Sequence, residues 1–141
     1  MNPTCTFCQI VAGRLPASLV YEDETSLAFM NIRQANPGHV LVIPKTHVET
    51  IDRLDDFTAA RLFRTATRIA RAIQASLHPP GLSVFQANGE ASWQEIPHVH
   101  LHLLPRQKDD GLLRYYPQPP PFCPRPELDR LAGIIAGKID T

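Results

Sequence analysis

The chain has 141 residues, enough for one domain with a substantial buried core. Its 14 lysines and arginines balance 14 aspartates and glutamates, so no global field draws it onto nucleic acid or an anionic membrane. No apolar run reaches membrane-spanning length and residues 1–4 lack a signal-peptide basic region, which predicts a cytoplasmic protein with neither nucleic acid nor membrane as partner.

Residues 5–14 read as a short helix, with Ile10 and Val11 inward and Gly13 ending it. Residues 19–22 and 25–31 read as strands around an Asp23-Glu24 turn. Residues 38–44 form a third strand, nearly continuously apolar and hence buried. The clearest helix spans 55–77. Asp55 is its expected N-cap, and Phe57, Leu62, Phe63, Ala66, Ile69, Ala70, Ile73 and Leu77 recur near the helical period. His78-Pro79-Pro80-Gly81 stops it, and His78 is read as a cap on the helix dipole. Arg61, Arg64, Arg68 and Arg71 make a basic stripe, read as a solvated face. Residues 82–87 and 97–104 are the fourth and fifth strands, 117–126 a proline-dense extended connector, and 127–139 a terminal helix with Leu128, Leu131, Ile134 and Ile135 on one face. Strands in neighbouring pairs around one long helix predict an α+β fold with an antiparallel sheet. The whole chain, 1–141, reads as a single domain, with 107–141 supplying the connector and last helix.

The chemistry concentrates in His98-Val99-His100-Leu101-His102. Strand alternation puts the three imidazoles on one face and Val99, Leu101 and Leu103 on the other, packed on a helix. Two readings compete: metal ligation, and catalysis by an imidazole that is both nucleophile and proton carrier at neutral pH. The preceding loop, Asn88-Gly89-Glu90 and Ser92-Trp93-Gln94-Glu95, favours phosphate, because the Gln94 amide and backbone N–H groups beside it suit anionic oxygens. Trp93 reads equally as a lid or base-stacking ring and as ordinary packing. Of three cysteines, Cys5 and Cys8 have C-x-x-C spacing, which is metal or redox chemistry rather than a disulfide framework; Cys123 is left unpaired.

These residues resemble the histidine triad family. Residues 98–104 match its His-φ-His-φ-His-φ-φ pattern, with φ apolar, and Gly38-His39-Val40-Leu41-Val42-Ile43-Pro44-Lys45-Thr46-His47 matches its upstream segment. Phe7-Cys8-Gln9-Ile10-Val11-Ala12-Gly13, then Pro16-Ala17, is similar to its start. The resemblance implies a five-stranded antiparallel sheet with helices, in a homodimer formed through the long helix and central strand. It implies a hydrolase or transferase of nucleoside monophosphate groups, acting on dinucleoside polyphosphates such as diadenosine tetraphosphate or on nucleoside phosphoramidates. His100 would attack the α-phosphorus to form a nucleotidyl-histidine, with His39 and His102 in support. Gln94, the N–H groups of Glu95 and Ile96, and Asn88 would contact phosphate. Asn31 would take the ribose, and Phe7, Ile10 and Phe29 would flank the base. Cys5, Cys8, His47 and His98 would hold a closed, structural zinc. The chain departs from the family at Asn31, where Asp is common, at Trp93, where glycine is common, and at Ala87, where asparagine is usual. Two rival readings are a zinc hydrolase using the triad as ligands and a nucleotide-binding regulatory module without turnover.

Overall fold

The computed structural model describes residues 2–112, 116 and 118–139; the first connector proline, at position 117, lies outside them. The chain divides into two compact units, one running to Asp110 and the other starting at Gly111.

In the first unit α1 is Thr6–Val11, β1 Leu19–Glu22, β2 Ser26–Met30, β3 Val40–Pro44, α2 Asp56–Leu77, β4 Gly81–Phe85 and β5 Leu101–Arg106. The five strands form one sheet in the order β1-β2-β3-β5-β4, and every neighbouring pair is antiparallel. The α+β architecture expected from sequence is therefore the observed one. Local chemistry sets the boundaries. Asp23 Oδ1 accepts the backbone N–H groups of Thr25 and Ser26, each at 2.8 Å, and so turns β1 into β2. Asp55 accepts the Thr58 N–H at 2.8 Å and caps α2, while His78 ends that helix in the left-handed region at φ 48. Cys5 caps α1, its sulfur accepting the Cys8 N–H.

Both faces of the central strand β3 are buried, which explains why it reads as an unbroken apolar run. Val40 and Val42 join Ala28, Val99, Leu101 and Leu103 against Leu62, Ala66, Ile69 and Ile73 of α2. Leu41 and Ile43 face the other way, into a second cluster with Cys5, Phe7 and Cys8 of the N-terminal segment and with Leu27 and Phe29. Each cluster removes several large side chains from water, at roughly 1.5–3 kcal/mol apiece.

Three expectations need correction. Phe57, Phe63 and Leu77 of α2 are about half exposed or more, because the core-facing stripe is the narrower one through Leu62 and Ile73. The fifth strand begins at Leu101, not 97: the His98 N–H bonds back to the Ile96 carbonyl and the Val99 N–H goes to the Val48 carbonyl, so neither enters the ladder. That strand instead continues to Arg106, where Asp110 accepts two guanidinium hydrogen bonds at 2.8 and 2.6 Å. Gly38 has φ +97, and a Cβ there would lie 2.4 Å from Leu77 Cδ1. The positive φ favours glycine there, directly before His39, while the Leu77 tip is flexible enough to move aside.

In the second unit α3 is Arg125–Ala136, starting two residues earlier than expected because prolines are well placed in a first turn. Its Leu128, Leu131, Ile134 and Ile135 are exposed. Among the described residues, no helix is long and apolar enough to cross a membrane.

Candidate active site and metal centre

Alternation around β5 separates the imidazoles from Val99, Leu101 and Leu103, as the pattern predicts, although only His102 lies within the strand proper. His100 is buried, and its Nδ1 lies 2.7 Å from the His98 carbonyl oxygen. A carbonyl only accepts, so Nδ1 carries the proton and donates. Nε2 is then a bare lone pair, the form a nucleophile needs. Burial, the largest influence, holds the His100 pKa below its ordinary value, so the ring stays neutral. Phe7 and this ring meet nearly perpendicular, at 84°, with a 5.1 Å centroid distance.

His102 sits beside His100, with ring centroids 4.9 Å apart. Its Nδ1 is 3.0 Å from Nε2 of His39, at the start of the neighbouring strand. His39 is buried, and its Nδ1 finds no partner. If His102 donated in this pair, His39 would bury an unpaired N–H. If His39 donates, only an unused lone pair is buried, and orphaned acceptors are the more common of the two. The network therefore assigns Nε2–H to both His39 and His102. Burial first, then the neighbouring His100 and His39, hold the His102 pKa down to about 3, so it offers one N–H and no charge.

His98 faces elsewhere. Its Nε2–H donates to the Pro44 carbonyl at 2.8 Å, which leaves Nδ1 as a lone pair. That nitrogen lies 3.4 Å from Cys5 Sγ, 3.7 Å from Cys8 Sγ and 3.3 Å from His47 Nδ1. All four ligand atoms fall within 4.8 Å of one another. Burial raises the Cys5 thiol pKa and pushes that of His98 down to about 4. A buried cluster of two sulfurs and a nitrogen lone pair, with the second ring nitrogen already bonded to a carbonyl, is a donor set suited to a tetrahedral, thiophilic divalent cation.

The loop before the histidines is tied to itself. Gln94 Nε2 donates to the Glu49 carbonyl at 2.6 Å and its Oε1 accepts the Gly89 N–H at 2.7 Å. The amide expected to be open for phosphate therefore shapes the loop. Asn88 is also occupied: its Oδ1 accepts the Ile51 N–H at 2.7 Å, and its amide pairs with Gln86. Among the described residues, the Glu95 and Ile96 N–H groups donate to no one. Trp93 stands in the left-handed region at φ 63, 89% exposed, beside these donors. Asn31 Oδ1 accepts the Arg33 N–H at 2.9 Å, and its Nδ2 is uncommitted. Phe7 and Phe29 are buried edge-to-face at 5.4 Å, while Ile10 is partly exposed beside them. Both phenylalanines are therefore core first, with the site as their boundary. Sequence reading missed Phe85, whose ring stacks on His102 at 4.2 Å and 6°. Only strand register places it there, opposite His102.

A bare Nε2 on one buried histidine, flanked by an imidazole pair from two strands, defines a histidine-triad site. The HIT domain family matches residues 12–109, and the chain belongs to this family. It is 35% identical over 137 residues to a protein named adenosine 5'-monophosphoramidase hnt1 from Schizosaccharomyces pombe, covering 96% of this chain and 98% of that one. Its fold is similar to the crystal structure of a HIT family member from Bacillus subtilis, with a TM-score of 0.92, 37% identity and coverage of 98% and 99%. A zinc-bound histidine triad family protein from Mycobacterium smegmatis superposes with a TM-score of 0.73, 36% identity and coverage of 96% and 98%.

Proposed function

We propose that this protein hydrolyses or transfers the nucleoside monophosphate group of a nucleotide derivative through a nucleotidyl intermediate on His100. The observation that carries the reading is the 2.7 Å bond from His100 Nδ1–H to the His98 carbonyl, which leaves Nε2 as a buried, neutral lone pair. A neutral nucleophile avoids repulsion by the anionic oxygens of the α-phosphate. Nε2 bonds to phosphorus as the bond to the leaving oxygen or nitrogen breaks. The Nε2–H of neutral His102 donates a hydrogen bond to the phosphate or leaving group, which takes its proton from water, and the free N–H groups of Glu95 and Ile96 suit the equatorial oxygens. Water then displaces His100 from phosphorus and releases the mononucleotide. Asn31 contacts the ribose through its uncommitted Nδ2, with Ile10 at the base. The name of the fission-yeast relative supports a phosphoramidate over a dinucleoside polyphosphate substrate.

Cys5, Cys8, His47 and His98 would hold zinc in a closed set, a role supported by the zinc-bound relative. Bound there, the ion supplies folding energy and fixes the residue whose carbonyl orients His100. Because His98 faces the sulfurs, the three triad residues do not share one ion, which disfavours the zinc-hydrolase reading. Two copies would pair through α2, where Phe57 and Phe63 are exposed, and the reduced Cys5–Cys8 pair fits a cytoplasmic setting.

Adenosine 5'-phosphoramidate labelled at phosphorus, quenched in base during turnover, tests the reading. Label should appear on the wild-type chain and not on His100→Asn. Turnover without label would refute the covalent route, and AMP binding without turnover would make the protein a binding module.

A further inference from the structure

The β4–β5 register pairs Phe85 directly with His102, and Leu41 of β3 flanks His102 on the other side. The Phe85 and His102 rings are nearly parallel, 6° apart, with centroids at 4.2 Å. No other aromatic pair among the described residues lies so close to coplanar stacking. The last torsion of a histidine side chain is broad, so the backbone alone does not decide where its nitrogens face. Two contacts remove that freedom. Stacking on Phe85 fixes the plane of the imidazole. The bond from His39 Nε2–H to Nδ1, at 3.0 Å, selects which edge faces His39. His39 is itself buried with its other nitrogen unpaired, so it has no alternative acceptor to turn to.

We propose that Phe85 is a positioning residue for the reaction: its ring holds His102 in the plane that gives Nδ1 to His39 and keeps Nε2–H free for the phosphate or leaving group. The proposal deepens the function proposed above and rests on it. Phe85 touches no reacting atom and acts through His102. An aliphatic side chain at this position fills the same half-buried space but has no flat face. The imidazole then rotates, its bond to His39 lengthens, and the proton distributes between Nδ1 and Nε2. Binding of the nucleotide is untouched by this change, and only the hydrogen bond to charge building on the transferring group suffers.

The test compares wild type, Phe85→Leu and Phe85→Tyr in the full chain, by nitrogen-15 spectra of the histidine rings and by steady-state cleavage of adenosine 5'-phosphoramidate. Wild type should show His102 as a single Nε2–H tautomer. Phe85→Leu should show mixed tautomers, with kcat about tenfold lower at unchanged KM, a fraction of the ~100-fold that a 1 Å misplacement of a catalytic group can cost. Phe85→Tyr should restore both the spectrum and the rate. A Phe85→Leu protein with the wild-type tautomer and kcat within about twofold of wild type overturns the proposal. So does a rate loss that follows melting temperature equally in Leu and Tyr variants. If wild type fails to cleave the substrate, the functional reading fails, and the nitrogen spectra still decide the role of Phe85.

Discussion

In His100→Ala the 2.7 Å bond to the His98 carbonyl disappears, and the residues on both sides of it are buried. Leaving a buried carbonyl unpaired costs about 1–3 kcal/mol. Losing the edge contact with Phe7 at 5.1 Å adds about 1 kcal/mol. The sum, about 2–4 kcal/mol, lies below the 5–15 kcal/mol typical of a domain, so the fold survives. At about 4 °C per kcal/mol, the melting temperature falls by about 8–16 °C. His100→Asn keeps an N–H near the carbonyl and should cost only about 1 kcal/mol. Neither variant has a nucleophile, so both should lose on the order of 10⁴-fold or more in turnover. Thermal denaturation and chromatographic release of AMP from adenosine 5'-phosphoramidate measure the two effects separately. The Asn variant should therefore be nearly native in stability and as inactive as the Ala variant. If Asn kept a tenth of wild-type turnover, or if the two variants ranked in rate as they rank in stability, the assignment of His100 as nucleophile would be refuted.

Protein purified without chelator should contain one zinc ion per chain, and chelation or Cys8→Ser should lower the melting temperature, because the four converging donors otherwise remain a buried, uncompensated cluster. Metal analysis without zinc, or a chelated protein that melts unchanged, would remove the metal centre. Stability should fall on acidification. His102 titrates at about 3 in the fold against about 6.5 unfolded, so below 6.5 the unfolded chain takes up the proton first. Its contribution is complete above pH 6.5 and is lost as pH falls toward 3, with a slope of at most ~1.4 kcal/mol per pH unit, reduced by solvent screening because the ring is partly exposed. Denaturant melts between pH 7 and 5 should show a flatter dependence for His102→Asn; parallel curves would contradict the shift. Trp93→Gly should raise stability by about 1 kcal/mol, since φ 63 strains any residue with a side chain and the indole is exposed. A lower melting temperature would mean that the indole packs on something.

The triad was readable because a two-residue period, once a strand is granted, forces every second side chain to one face. That argument reached the right partition of histidines from Val99, Leu101 and Leu103 even though His98 and His100 precede the strand. The strand start was misplaced because period cannot see hydrogen bonding: Val99 sends its N–H to Val48, a residue far away in sequence. The loop was half legible. Its polarity was evident, but whether the Gln94 and Asn88 amides are open or committed depends on Glu49 and Ile51, which no local pattern brings near.

By itself, the sequence determined the fold class, the helix caps at Asp55 and His78, the histidine cluster and the four-residue donor set, because these follow from local periodicity and residue chemistry or from matching motifs. Tertiary structure alone decided which nitrogen of each imidazole carries the proton, that His98 serves the sulfurs while its carbonyl serves His100, and that Phe85 lies on His102. Each of these depends on groups brought together by strand pairing or by packing across the sheet. A proton's position on a ring is set by the acceptors that surround it, and those exist only once the chain has folded.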